Sequence, residues 1–287
     1  MFEFCADPSL LEGTDWWMCY LSNGKHMGFY RSFGVVMMLL LVTVPFIMAL
    51  GFGGALARRS SLPPVRWLGL AYTSMVRGVP DIIFFLFALI AVDQGIEYLR
   101  HLYFCPDWTE PIRQGNDFVV CARAKMPLSD ADAWVHKTYS FFQAVLAFAV
   151  VFGAFAANTL FGAMNAVPRG QLETGDAFGM TPRQVFRRIL LPQMWVYALP
   201  GLSNLWMIFI KATPLLFLLG IQDIVYWARE LGGTKTALFA YPHPDWRLGY
   251  FLFLLVFYLF LTWVSERVFD RLQRRVSRGQ PTVGGTV

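Results

Sequence analysis

The 287-residue sequence predicts an all-α polytopic membrane protein with about five transmembrane helices. Two features of composition point there. Hydrophobic residues make up 56% and charged residues 15%, whereas soluble domains average about 45–50% and about 25%. Mean hydropathy is +0.47, and 27 Phe and 10 Trp suit aromatic girdles at two membrane surfaces. A third feature is the pattern: apolar residues gather into five long runs. Disorder, a collagen, a coiled coil and an ordinary cytosolic enzyme are excluded.

A helix needs about 20 largely apolar residues to cross a bilayer. Residues 33–57 meet that need and end abruptly at Arg58 and Arg59. The second run, 67–92, is interrupted by Arg77-Gly78-Val79-Pro80-Asp81, where Gly78 and Pro80 break the helical ladder and Arg77 and Asp81 stand four apart as a pair. Residues 141–167 form the third and 195–221 the fourth, which carries Lys211; 248–264 is the fifth. An odd number of spans places the termini on opposite sides. Residues 1–24 carry Glu3, Asp7, Glu12 and Asp15 and lack a basic region followed by an apolar stretch, so they do not read as a cleaved signal peptide. Segment 1–32 then precedes a transmembrane domain over 33–270, and 271–287 forms a tail.

Loop charges set the orientation. Residues 58–66, 168–194 and 265–287 hold twelve Arg against four acids. Residues 1–32, 93–140 and 222–247 hold ten Lys or Arg against fourteen acids. The Arg-rich side is expected to be cytoplasmic, with the N-terminus periplasmic and the C-terminus cytoplasmic, in a bacterial inner membrane. The net charge of +5 and pI of about 9.1 therefore report topology and give no support for a nucleic-acid partner.

All four cysteines, Cys5, Cys19, Cys105 and Cys121, fall in segments assigned to the outside. An even number confined to an oxidising compartment suggests disulfides. Cys5–Cys19 and Cys105–Cys121 are the local pairings, but the sequence does not choose among three connectivities, and free thiols are the alternative. Residues 93–140 are too long for a bare connection and read as a small exported insertion.

The third inner segment, 168–194, is the most informative. Pro168 and Pro182 suit first helical turns, Thr181 suits an N-cap, and Gly179 permits a tight reversal between two short helices. Val185, Phe186, Ile189 and Leu190 then form an apolar face, and Arg183, Arg187 and Arg188 a basic one. Such a unit either lies on a membrane surface or docks into a groove of a cytosolic partner.

The spacing Glu173, five residues, Gly179, nine residues, then Ile189-x-Leu191-Pro192 resembles the EAA loop of ABC importer permeases. Thr174 and Gly175 stand where the family has two alanines. Val76-Arg77-Gly78-Val79-Pro80, Val167-Pro168-Arg169-Gly170-Gln171, Ala198-Leu199-Pro200-Gly201-Leu202-Ser203-Asn204 and Ile210-Lys211-Ala212-Thr213 narrow the resemblance to the polar amino acid uptake branch. Within it, Tyr72-Thr73 with Arg77-Gly78-Val79-Pro80-Asp81, and Arg183-Gln184-Val185-Phe186-Arg187-Arg188-Ile189, look most like the Q-type subunit of histidine, basic amino acid and opine importers. The resemblance covers roughly 33–92 and 141–270, leaving 1–32 and 93–140 outside.

That resemblance implies the type I importer permease fold and half of a translocation pathway for a polar amino acid or derivative such as an opine. It implies a second permease subunit, a heterodimer being favoured over a homodimer, a cytoplasmic ABC ATPase dimer and a periplasmic solute-binding protein. Glu173 and Gly179 carry over as ATPase-coupling positions, with Arg183, Arg187, Arg188, Ile189 and Pro192 beside them. ATP and Mg belong to the ATPase, since no phosphate-binding loop occurs here. Many relatives carry a Glu and, three residues on, an Arg where this chain has Asn158 and Phe161. Phe155, Asn158, Asn204 and Lys211 are the expected pathway residues.

The rival readings are a polytopic membrane enzyme and a channel subunit. His26, His101, His136 and His243 form no close metal-ligand pair, and no Gly-x-Ser-x-Gly elbow is present. No catalytic or metal-binding residue is therefore assigned, and the chain is expected to be a transport subunit and not an enzyme. Outside its protein partners it meets membrane lipid.

Overall fold

The computed structural model describes residue 5 and residues 11–126, 131–219 and 221–278, except the side chains at 76, 77, 81 and 217–219. The expected pairing of Arg77 with Asp81 and the tail beyond residue 278 lie outside the described residues. The helices are α1 (Gly13–Ser22), α2 (Gly24–Arg59), α3 (Pro63–Gly78), α4 (Asp81–Phe104), α5 (Ala133–Ala166), α6 (Arg169–Ala177), α7 (Pro182–Val185), α8 (Leu191–Ala212), α9 (Ile224–Gly232) and α10 (Arg247–Val276). A two-stranded ribbon, β1 (Arg113–Gln114) and β2 (Asp117–Phe118), lies between α4 and α5.

Four helices are long and apolar enough to cross a membrane: α2, α4 from Ile82, α5 and α10. At 1.5 Å per residue α8 is about 33 Å long, enough for the hydrocarbon core, and it completes the set of about five. One predicted boundary is corrected. The run 67–92 is two helices, because Pro80 has no N–H to give and forces Val79 into an extended conformation (φ −125°, ψ 136°). The span proper is α4, and it continues to Phe104, so the insertion expected over 93–140 starts with helix. α10 runs on to Val276, into the tail.

The chain forms two compact units. One comprises Val42–Phe209 and Ser265–Val287, and α5 is its axis. With lipid outside, hydrophobicity cannot drive helices together; small residues that let backbones approach do so instead. Gly51 and Gly54 of α2 face Ala156 and Ala157 of α5 so closely that an added methyl would lie 2.8 Å from either Cβ. Tyr72 of α3 donates a hydrogen bond to the Val150 carbonyl at 2.7 Å, and Phe85, Phe152 and Phe209 pack around Phe148 or against one another.

At the end of α4 a small cap is closed by the Cys105–Cys121 disulfide (Cα–Cα 6.7 Å). Three residues of the last turns hold it by its backbone. Arg100 donates to the carbonyls of Arg123 and Ala124 at 3.0 and 3.1 Å, while His101 Nδ1 and a Glu97 oxygen accept from the amides of Cys121 and Met126 at 3.1 and 3.2 Å. His101 is therefore a buried structural residue.

The other unit comprises Met1–Leu41 and Ile210–Val264. Cys5–Cys19 staples its start (Cα–Cα 5.6 Å), so both local pairings are present. Cys19, Tyr20 and Tyr241 are buried together, with Trp16 and Trp246 against them. Phe29 and Phe33 of α2 meet Phe253 and Phe257 of α10 at centroid distances of 4.7–6.2 Å. Asp223 caps α9 by accepting from the Tyr226 amide at 2.8 Å. Burial pushes its carboxyl up from the ordinary 3.8 to about 6.

Candidate functional site

The Arg-rich segment between α5 and α8 folds as the spacing predicts, as short helices around a sharp reversal. α6 ends at Ala177, and Gly179 at φ +75° turns the chain. The Met180 amide donates back to the Gly175 carbonyl at 3.0 Å and the Gly179 amide to that of Asp176 at 2.9 Å. This is the Schellman arrangement, in which a glycine in the left-handed region closes a helix C-terminus. α7 then starts with a capping box: Thr181 Oγ1 accepts from the Gln184 amide at 3.4 Å, and Gln184 Oε1 accepts from the Thr181 amide at 2.8 Å. Pro182 occupies the first turn, where its missing N–H costs nothing.

The second helix is not a separate element. α7 passes through a π-helical stretch, Phe186–Leu190, directly into α8. That wider turn shifts the helical register just where Arg187 and Arg188 project.

Packing fixes the reversal. Val185 and Leu190 are buried, Phe186 and Ile189 half-buried, and Arg183, Arg187 and Arg188 exposed. Removing a Val or Leu side chain from water contributes about 1.5–3 kcal/mol each. Leu190, Met194 and Ala198 join Leu160, Met164 and Val167 of α5 in one core cluster, against which Leu172 and Phe186 rest. Gly175 is the close contact between the two arms. A Cβ there would lie 2.6 Å from Ile189 Cδ1 and 3.1 Å from Val185 Cγ2. An alanine there would require the Ile189 side chain to move, and a larger residue more than that.

Opposite that core the loop presents Glu173, Asp176, Arg183, Arg187, Arg188 and Pro192, all exposed. Among the described residues none of these charges has an ion-pair partner. Phe178 stands at the tip of the reversal with 82% of its surface exposed. Composition could not single it out, since one Phe in 27 carries no signal until the fold shows where it sits.

Each of the expected pathway residues sits within one of the two compact units. Asn158 is half-buried and tied within its own unit: its Oδ1 accepts from Arg58 at 2.7 Å, and its Nδ2 donates to the Thr73 carbonyl at 2.9 Å. The Arg58 guanidinium also lies 3.9 Å over the Phe161 ring. Asn158 and Phe161 thus jointly hold Arg58, a network not predicted from the sequence. Phe155 packs on Phe152 at 6.1 Å, Asn204 is exposed, and Lys211 belongs to the other compact unit. The helix break at Gly78 and Pro80 is present in the backbone.

About five apolar helices and a buttressed two-armed loop bearing unpaired charge define a polytopic membrane protein built to engage something outside itself. Residues 48–278 match the family described as "Binding-protein-dependent transport system inner membrane component". The chain is 31% identical over 246 residues to the histidine/lysine/arginine/ornithine transport system permease protein HisQ of Salmonella typhimurium, covering 85% of this chain and 91% of that protein. It is 30% identical over 236 residues to the octopine transport system permease protein OccQ of Rhizobium radiobacter, covering 82% and 84%. The crystal structure of an amino acid ABC transporter with histidines has the same fold, with a TM-score of 0.60 at 19% identity over 87% of this chain and 94% of that one. The chain belongs to the family of binding-protein-dependent transport system inner membrane components. It is a permease subunit of an ABC transporter, a multi-pass inner-membrane protein and not an enzyme.

Proposed function

We propose that this chain forms half of the pathway of an ATP-driven importer and couples to a separate ATPase through residues 173–192. The single observation that carries the coupling is the pairing of a rigid support with unpaired charge. Schellman turn, capping box and Gly175 contact fix the loop, while Glu173, Arg183, Arg187, Arg188 and Phe178 have no internal use. Exposed charges arranged on a fixed helix pair suit recognition of a complementary groove. Ile189 acts from beneath, against Gly175, and Pro192 is exposed at the start of α8.

In this reading the Arg-rich loops face the cytoplasm, the stapled segments face the periplasm, and a soluble binding protein delivers solute there. ATP and Mg sit on the ATPase. Movement of the ATPase dimer is transmitted to α5 and α8 because the loop is continuous with α8 and seated on α5. The solute is a polar amino acid or a derivative such as an opine, in keeping with relatives named for histidine, lysine, arginine, ornithine and octopine. With the Asn158 amide engaged inside the chain, Asn204 and Lys211 are the residues left to face the solute, and Phe155 lines the wall. The partner permease is a different chain.

The test is copurification and uptake with Gly179→Asp. Loss of the ATPase subunit and of uptake, with normal membrane insertion, is expected. Retention of both overturns the docking assignment.

A further inference from the structure

The unit comprising Met1–Leu41 and Ile210–Val264 encloses a cavity that the transport reading does not use. It measures about 420 Å³ and lies between the α1–α2 junction and the segment that joins α9 to α10. That volume falls in the range of small-molecule sites, about 300–1,000 Å³, which are apolar with a few convergent polar groups.

Tyr20, Phe239 and Tyr241 give this one its apolar lining. At one side Lys25 and Lys235 converge on a single oxygen of Glu230, at 2.8 and 3.2 Å. Two ammonium groups share one carboxylate, so one positive charge is left over, and each ammonium retains N–H donors. The hydrogen bond from Lys25 holds the Glu230 carboxyl below its usual range, so it stays ionised and the balance persists. Lys235 cannot swing freely away: its side chain is 14% exposed, it lies 5.0 Å from the Phe239 ring, and its backbone pairs with that of His243.

A second observation is independent of the charges. The Tyr241 hydroxyl is buried and has no hydrogen-bond partner among the described residues, although Tyr241 is only 9% exposed. Buried hydroxyls are normally satisfied, and an orphan one costs about 1–3 kcal/mol. His243 does not serve it: its Nδ1–H donates to the Pro244 carbonyl at 2.7 Å and its Nε2 accepts from Tyr20 at 3.4 Å.

We propose that this cavity is a binding site for a small anion-headed molecule with an aromatic or apolar body, such as an aromatic carboxylate. Its carboxylate would sit by Lys25 and Lys235, its body against Phe239 and Tyr20, and it would accept from Tyr241. By the charge count the site opens on the periplasmic side. Four of its ten lining residues, Tyr20, Asn23, Gly24 and Lys25, precede the family match, which begins at residue 48, and the site stands or falls separately from the coupling loop.

The probe is 1-naphthylacetate, titrated into the full-length chain in lipid nanodiscs with empty discs subtracted. Saturable binding is expected for the acid, and binding at least about tenfold weaker for uncharged 1-naphthylacetamide, since a hydrogen bond to a charged group supports about that ratio. Lys235→Gln should weaken the acid about tenfold. Tyr241→Phe, which keeps the ring and its packing on Trp16 and Tyr20, should weaken it about threefold. Equal binding of acid and amide, signal no greater than in empty discs, or unchanged affinity in both variants overturns the proposal.

Discussion

The cap closed by Cys105–Cys121 and the loop over 168–192 are similar in size and both expose their own charged side chains, yet they are held in shape by different means. The cap is held by polar side chains of α4. Arg100, His101 and Glu97 are all spent on its backbone, and a disulfide closes what they hold. In the loop, backbone geometry and a glycine contact do the fixing, and the charges are left over. Side chains of a neighbouring helix and a disulfide keep the cap's shape, whereas the loop is held by its own backbone, and in the reading proposed above its exposed charges meet a partner.

The largest expected effect comes from breaking the loop's support. Gly175→Val would put a branched side chain where even a methyl lies 2.6 Å from Ile189. Overpacking costs about 1–3 kcal/mol, and displacement of the docking face should lower uptake about tenfold or more. Measured uptake within twofold of wild type would remove the loop from coupling. Next is the double charge reversal Arg187→Glu with Arg188→Glu. The scaffold should survive, because both side chains are exposed, while stimulated ATPase activity falls about tenfold and grows more sensitive to salt.

The cap should answer differently. Replacing Cys105 and Cys121 together by Ser removes a covalent closure across 16 positions, worth about 3 kcal/mol on the chain-entropy model. Faster proteolysis or hydrogen exchange of residues 105–126 is expected, with transport little changed. A transport loss as deep as that of Gly175→Val would erase the contrast between the regions.

The smallest effect is a pH dependence. The Asp223 carboxyl titrates at about 6 in the folded chain against 3.8 ordinarily, because burial disfavours its charge. An acid whose folded value is raised loses folded-state stability as pH rises from about 4 to 6, and the deficit persists above. Asn still accepts the Tyr226 amide as an N-cap. Asp223→Asn should therefore stabilise by about 1–3 kcal/mol at pH 7.5 and by little at pH 4, as read from thermal unfolding at the two values.

Much of the fold was legible in the sequence because lipid imposes a simple rule: long apolar runs become helices. The loop over 168–194 was legible for a different reason. Thr181, Pro182 and Gly179 each have a specific backbone job, and the structure uses each of them for it. What was hidden depends on juxtaposition. Pro80 marks the break in the run 67–92, but nothing there shows that Glu97, Arg100 and His101 extend the later helix to hold a cap. Asn158 reads as a polar residue at membrane depth; only the fold shows its amide shared between Arg58 and Thr73. The close contact at Gly175 had a faint signal, a glycine where the family carries alanine, but its cause is the Ile189 side chain 14 positions away.

The central claim, that the reversal at Phe178 and Gly179 meets a cytosolic ATPase, is tested most directly by site-specific cross-linking. A cysteine placed at Phe178, exposed at the loop tip, is treated with a short thiol-to-amine cross-linker in membrane vesicles, beside a control cysteine at Asp107 in the cap. The account predicts an ATP-sensitive adduct between Phe178→Cys and the ATPase subunit, absent when Gly175→Val is added, and none from Asp107→Cys. An adduct from Asp107→Cys with none from Phe178→Cys would contradict it.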